Sequence, residues 1–422
     1  MLPNGWTVES FETIARFAAG RTPSRANPVF WQGLGPHYPW VTISDMEDYG
    51  TITTTAESVT QAAFDQVFRG RLVRAGTLIM SFKLTIGRIG TLGVDAFHNE
   101  AIISIYPKLS VDQRYLGYFL SQIDYTEHQD RQVKGNTLNQ DKLNRILVNL
   151  PPETEQSRIA DVLDCVRKAI LLQGRLTQKA HELKRTTMYE VFTRGLRGET
   201  QKETEIGPIP NGWSLARLSD LARVERGRFM HRPRNEPRFY GGETPFVQTG
   251  DIVRSRGRVR EYTQTLNADG VAISRVFPAG TILITIAANI GYTGVLEFDS
   301  ACPDSLVAIT PTGPIDTFFL EYFLQTQQPA MDRRAPKGTQ KNINIQFLNP
   351  WPILVPPLDQ QREIVSILNA IDKKIDLHQR RKVIFEELFR SLLRKLMTGE
   401  IRIGDLDFST LERGIVDTAT TA

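Results

Sequence analysis

The sequence predicts an α+β protein: two β-rich globular domains separated by two long helices that form an antiparallel coiled coil, with internal pseudo-two-fold symmetry. Three observations predict it. After Pro356-Pro357 the chain loses its Gly and Pro, and apolar residues recur at alternating steps of four and three. A stretch of the same length and frame follows Pro151-Pro152, 205 residues earlier. Short motifs between these stretches also return, at separations of 203 to 207 residues.

The later stretch places Ile364, Leu368, Ile371, Ile375, His378, Lys382, Phe385, Phe389, Leu392 and Leu396 on one seam. About 40 residues at about 1.5 Å each make a rod of about 60 Å, which needs a partner for its stripe. The positions 205 earlier are Ile159, Leu163, Val166, Ile170, Gln173, Thr177, Ala180, Lys184, Thr187 and Val191. A duplicated helix can bury its stripe against its own copy by a two-fold rotation, hence the antiparallel pair. His378 and Lys382 correspond to Gln173 and Thr177, so the middle of each seam is polar: either a solvated patch or a device that sets register.

The globular parts repeat as well. Leu2-Pro3-Asn4-Gly5-Trp6 returns as Ile209-Pro210-Asn211-Gly212-Trp213, and Gly20-Arg21 as Gly227-Arg228. Ala75-Gly76-Thr77-Leu78-Ile79 matches Ala279-Gly280-Thr281-Ile282-Leu283, Ile86-Gly87 matches Ile290-Gly291, and Tyr118-Phe119-Leu120 matches Tyr322-Phe323-Leu324. The order is therefore globule, rod, globule, rod. The expected boundaries are 1–150 for the first domain, 151–198 for the first helix, 199–355 for the second domain, 356–398 for the second helix, and 399–422 for a frayed tail.

Within each globule, β-branched apolar runs bounded by Gly, Pro and Asp predict strands at Thr77–Phe82, Ala101–Tyr106, Thr281–Ile286 and Leu306–Thr310. One short helix per copy is expected, at Gln113–Gln122 and at Asp316–Gln327.

At 422 residues the chain exceeds one ordinary core, and 41% hydrophobic with 23% charged residues reads as folded and soluble. No run approaches eighteen apolar residues and the N-terminus does not read as a signal peptide, which predicts a cytoplasmic protein with no membrane partner. Two cysteines, Cys165 and Cys302, suggest neither a disulfide framework nor a metal site. The net charge is +4; five acidic residues against two basic ones from Gly399 onward leave the tail at −3 and the remainder at +7. That excess is clustered, and clusters make nucleic-acid footprints.

Catalytic patterns do not assemble. Asn349-Pro350-Trp351-Pro352 faintly resembles an amino-methyltransferase loop without the glycine-rich cofactor loop before it. His98-Asn99-Glu100 is half of a zinc-deaminase signature without its cysteines. Gly87-x-x-Gly90-x-x-Gly93 lacks the Gly-Lys-Ser/Thr ending of a phosphate loop. The six histidines show no metal-ligand spacing, so no catalytic or metal residue is assigned.

Binding patterns are stronger. Arg226, Arg228, His231, Arg232, Arg234 and Arg238 crowd one stretch with Phe229, Phe239 and Tyr240. Arg254, Arg256, Arg258 and Arg260 alternate, which on an extended strand puts four guanidinium groups on one face, unless Gly257 makes a turn. Guanidinium groups suit phosphates and guanine edges; a solvated basic face is the plainer reading. The matching part of the first copy, Asp45-Met46-Glu47-Asp48-Tyr49, is acidic, and that copy's own basic set is Arg21, Arg25, Arg69, Arg71, Arg74, Lys83 and Arg88. Each copy also carries a polar glycine turn: Lys134-Gly135-Asn136-Thr137-Leu138-Asn139 and Lys337-Gly338-Thr339-Gln340-Lys341-Asn342. Lys and glycine-turn N–H groups can hold phosphate, and Asn or Gln can grip an adenine edge; a capping turn is the alternative.

This arrangement resembles the specificity subunit of type I restriction-modification enzymes. The resemblance rests on the Pro-Asn-Gly-Trp openings, on Ala279 to Ile286 through Ile290-Gly291, on Lys337 to Ile343, and on Val355-Pro356-Pro357-Leu358 before a helix ending Leu396-Met397-Thr398-Gly399. The first copy departs in its looser polar turn and in Gln173, Gly174 and Thr177 at mid-seam. The resemblance implies a protein without catalysis of its own. Each globule would be a target recognition domain reading half of a bipartite, asymmetric site on double-stranded DNA, and the helices a spacer that docks two methyltransferase subunits. Those subunits would bring S-adenosylmethionine, and a restriction/translocase subunit would bring ATP and magnesium. The rival reading is a coiled-coil interaction scaffold without DNA readout.

Overall fold

A computed structural model of the chain describes residues 2–406 apart from 126–128, 133–134, 139, 205–206, 232, 234, 288 and 337–340; for 129–132, 135–138 and 140 it describes backbone alone. The chain divides into two compact units, Met1–Gly174 with Arg380–Ala422, and Arg175–Gln379.

Each unit is built on a five-stranded sheet. In the first, β1 (Ala15–Ala19), β2 (Gly50–Ile52), β3 (Leu78–Ser81), β4 (Ile89–Leu92) and β5 (Ile102–Pro107) lie in the order β1-β5-β3-β4-β2. In the second, β6 (Ala222–Arg226), β7 (Gly257–Val259), β8 (Ile282–Thr285), β9 (Thr293–Leu296) and β10 (Leu306–Pro311) lie in the order β6-β10-β8-β9-β7. The two orders are the same, and in both the last strand runs parallel to its neighbour while the other pairs are antiparallel. The central strands β3 and β8 are buried along their whole length. That is why they read as unbroken apolar runs and not as alternation.

Helix α1 (Gln113–Ser121) covers the first sheet, and the second globule has α3 (Thr249–Ser255) and α4 (Thr317–Arg334). Asp112 and Asp316 cap α1 and α4 by accepting from the first backbone N–H groups. α4 runs past the expected end at Gln327 and through Pro329, because Met331 and the following Ala335 are buried in the core; packing outweighs the lost backbone bond.

The long helices are α2 (Glu153–Arg194, 42 residues) and α5 (Leu358–Thr398, 41 residues). The double prolines fix their starts, and Gly195 and Gly399, at φ +74° and +72°, stop them. Each helix gives one half to each unit. In the first unit Ile159, Leu163 and Val166, with half-buried Ile170, share a core with Phe389, Leu392 and Leu396 and half-buried Phe385. In the second, Val191 and Phe192 share one with Ile364, Leu368, Ile371 and Ile375. In both units the partners come from opposite ends of their helices, as an antiparallel pair requires. Among the described residues no helix is long and apolar enough to cross a membrane.

Two contacts, each made twice, bolt the globules to the helices. Gln156 is buried and donates to Pro151 O (2.8 Å) and Ser110 O (3.4 Å), while its Oε1 accepts from Asp112 N at 2.9 Å. Gln361 repeats this with Pro356 O (2.8 Å), Pro314 O (3.2 Å) and Asp316 N (2.7 Å). The Pro-Asn-Gly-Trp motif supplies the other: Trp6 Nε1 donates to Glu155 at 3.3 Å and Trp213 Nε1 to Gln360 at 2.8 Å, both in the first turn of a long helix. Replacing Gln361 by Ala strands a buried N–H and two carbonyls, so chemical denaturation is expected to show a loss of about 1–3 kcal/mol. A change below about 0.5 kcal/mol would show that water takes over the bonds.

Candidate nucleic-acid interface

The arginine run of the second globule does not lie on one strand. Arg254 lies in the last turn of helix α3, Arg256 takes the left-handed conformation at φ +51°, and only Arg258 lies within β7. The sequence alternation is broken at Arg256, one residue before the suspected Gly257, which itself sits at φ +99°. The four side chains therefore take different partners. Arg254 is 63% exposed and pairs with buried Asp251 at 2.6 Å. Arg256 is exposed and makes no ion pair among the described residues. Arg258 donates to Asn369 and covers the Phe318 ring at 4.0 Å, and Arg260 pairs with Glu297 (3.0 Å) and Asp376 (3.1 Å).

Beside this corner lies a groove of about 1470 Å³, walled by α2, α5, α3 and α4 within the second unit. It is lined by all four arginines, Arg254, Arg256, Arg258 and Arg260, together with His181, Lys184, Arg185 and Lys373. Lys184 is read as a seam position; His181, Arg185 and Lys373 were missed from sequence because heptad reading sorts a helix into seam and surface, and they belong to the flank between. Burial, with Arg256 and Lys184 adding to it, lowers the His181 pKa, so its ring favours the neutral form.

Elsewhere in the second globule Arg228 is exposed and donates to Ser274 O at 2.8 Å, while Arg232 and Arg234 lie outside the described residues. Lys341 pairs with Asp332 at 2.8 Å, and Asn342 bridges through its backbone to Ala287; Lys337, Thr339 and Gln340 lie outside the described residues. The polar turn thus meets the loop that follows β8.

In the first globule Arg21 is exposed and donates to Val67 O at 3.0 Å. Arg25 is held in a bidentate pair with Glu57 and lies over the Trp31 ring at 3.9 Å. Lys83 lies 5.3 Å from the Phe82 ring centre. The backbone of Asn136 and Thr137 belongs to a hairpin, Gln129–Gln132 paired with Gly135–Leu138, whereas Lys134 and Asn139 lie outside the described residues. His98 is a core residue bonded to Ser104 Oγ at 2.7 Å; burial pushes its pKa down to about 4 and keeps it neutral.

Two copies of one α+β globule with unlike polar edges, each seated on halves of the same two long helices, define a duplicated recognition subunit. The chain belongs to the type I restriction modification DNA specificity domain family, whose profile matches residues 3–196 and again 210–384, and is a recognition subunit of that kind, not a catalytic one. It is 23% identical over 419 residues to the putative type I restriction enzyme MjaX specificity subunit of Methanocaldococcus jannaschii, covering 95% of both chains. Among solved structures, it is similar to a chain from work on complex assembly and conformational transition of the type I R-M system, at 20% identity and a TM-score of 0.60 over 95% of this chain and 100% of that one. The type I restriction-modification S subunit from M. genitalium is similar at 13% identity and a TM-score of 0.58, over 94% and 97%. The two structural likenesses are of fold.

One buried acid underlies the groove. Glu321 in α4 accepts from Thr293 Oγ1 (3.0 Å) and Gln325 Nε2 (2.6 Å), and the first copy has Gly117 and Ile89 at the matching positions. Burial pushes its pKa up to about 7; Lys184, Gln325 and Thr293 oppose that and Asp372 adds to it. The folded carboxyl holds its proton more tightly than the unfolded one near 4.5. The contribution of this group to stability is therefore full below about pH 4.5 and is lost as pH rises to about 7. Glu321→Gln is expected to abolish that slope in urea denaturation and to stabilise the protein above pH 7 by on the order of 3 kcal/mol. An unchanged slope would contradict the assignment.

Proposed function

We propose that the chain reads a bipartite, asymmetric site on double-stranded DNA, one half with each globule, and sets the separation of the halves with its paired helices. The duplication carries this reading: one sheet order appears twice, with the polar edge changed between copies. Residues 1–150 and 199–355 serve as the two target recognition domains, 151–198 and 356–398 as the spacer helices, and 399–422 as a tail. A rod of about 60 Å is long enough to hold readers on major grooves roughly 34–36 Å apart.

A specificity subunit acts with other subunits and with DNA. The proposed partners are two methyltransferase subunits that bring S-adenosylmethionine, and restriction/translocase subunits that bring ATP and magnesium, all in the cytoplasm. Exposed apolar side chains on the long helices support docking there: Leu171, Leu172, Val383 and Ile384 in one unit, and Leu183, Ile367 and Leu377 in the other. The proposed DNA contacts are Arg21, Arg25, Lys83, Lys134, Asn136, Thr137 and Asn139 in the first copy. In the second they are Arg228, Arg232, Arg234, Arg254, Arg256, Lys337, Thr339, Gln340, Lys341 and Asn342, with Arg258 and Arg260 behind them.

Exchanging residues 1–150 for another reader of the family is expected to change one half of the methylated motif and leave the other as it was; methylome sequencing reads the outcome, and a change in both halves would defeat modular reading. Replacing Arg254 and Arg256 together by Gln is expected to weaken binding on all sequences alike and to lower the slope of log affinity against log salt by about two. Titrations at several salt concentrations would refute the phosphate role if the slope stayed put.

A further inference from the structure

The joint between globule and helices is chemically different in the two copies. β2 and β7 are both entered through a non-glycine residue in the left-handed conformation, Tyr49 at φ +59° and Arg256 at φ +51°. In the first unit the residue at this corner is aromatic, with Arg167 over its ring at 5.5 Å, and the neighbouring Tyr118 hydroxyl donates to Asp164 of α2 at 2.5 Å. Tyr49 packs tilted against Tyr118, ring centres 5.2 Å apart, and edge-on against Phe389 of α5 at 5.5 Å, with its hydroxyl donating to Ser121.

In the second unit the same joint is polar. Asn369 Oδ1 on α5 accepts from Arg258 and from the Tyr322 hydroxyl at 2.8 Å. That hydroxyl also reaches Asp372 at 2.5 Å, and Asp372 pairs with Lys184 of α2 at 2.8 Å. Arg260 closes the rim by bridging Glu297 of its own globule and Asp376 of α5. Both arginines donate across the joint to side chains of α5, whereas Arg254 donates to Asp251 within its own globule.

Resting on the reading above, we propose that Arg258 and Arg260, with Asn369 and Asp376, are positioning residues: they fix the angle of the second globule on its helices and so the spacing at which the second half-site is accepted. Their charge holds protein to protein, and the phosphate contacts are left to Arg254 and Arg256. Removing Asp376 discriminates between the roles. If Arg260 grips phosphate, D376N frees it and tightens binding; if Arg260 positions the globule, D376N has the same consequence as R260Q.

The test uses the full chain in complex with its methyltransferase subunits, as wild type, R260Q, D376N, the double variant and the exchanged pair R260D/D376R. Hydrogen exchange at Gly257–Val259 is expected to rise equally in both single variants, to rise no further in the double, and to return in the exchanged pair. Discrimination between the cognate DNA spacer and one altered by a base pair is expected to fall about threefold, the scale of a half-exposed ion pair, with the salt slope unchanged. Unchanged exchange at Gly257–Val259, or tighter binding by D376N with a smaller slope in R260Q, would overturn the positioning role. A wild-type complex with no preference for a split target would instead sink the DNA-reading proposal, and the exchange data would still decide the joint.

Discussion

The structure depends on the unfinished apolar stripe of each long helix. A helix of about 40 residues with one apolar seam cannot stay in water alone, because most helical stability comes from packing of that face. Neither long helix is covered by its own globule alone: α2 gives its first half to one unit and its second half to the other, and α5 does the same in reverse. Burial of Leu163, Leu368, Leu396 and their neighbours at about 1.5–3 kcal/mol each therefore ties both globules to the same two helices. Gln156 and Gln361 extend that tie to the globules. Each satisfies the orphan groups at a helix start with one amide, so the double proline, the long helix and the capping aspartate become one joint.

Duplication preserved this frame and released the rest. Sheet order, proline entries, tryptophan clasps and buried glutamines recur, as does a tyrosine hydroxyl on a long-helix side chain, Tyr118 on Asp164 and Tyr322 on Asn369, while the charged groups beside β2 and β7 do not. Glu321 and Thr293 stand where the first copy has Gly117 and Ile89, so a buried polar pair replaces a close backbone approach. Asp45 and Asp251 cap equivalent turns in the two copies, but the following Glu47 and Asp48 give way to Arg254 and Ser255. The copies thus share a frame and differ in side chains beside β2 and β7 and beneath the groove.

Much of the frame was legible in the sequence because it is written in local patterns. The heptads of Ile364 to Leu396, the proline pairs and the apolar runs at Leu78 and Ile282 name their elements directly. The arginine edge was less legible: a period of two implies a strand only if the backbone is extended, and Arg256 turns left-handed in the middle of it. Nor does spacing say that Arg258 and Arg260 spend their charge on Asn369 and Asp376, more than a hundred residues away. Gln156 and Gln361 were within reach, since a glutamine recurs at the fifth position after the first proline of each pair in two otherwise divergent copies. Base contacts stayed out of reach, because side-chain placement on an exposed loop depends on long-range packing that no short motif encodes.

The central claim is that one chain confers a split DNA target. Single-molecule methylome sequencing of cells with and without this gene tests it most directly. The account predicts that a motif of two short specific blocks, separated by a fixed run of unspecified bases, loses its adenine methylation when the gene is deleted. An unchanged methylome, or loss of a single continuous motif, would contradict it.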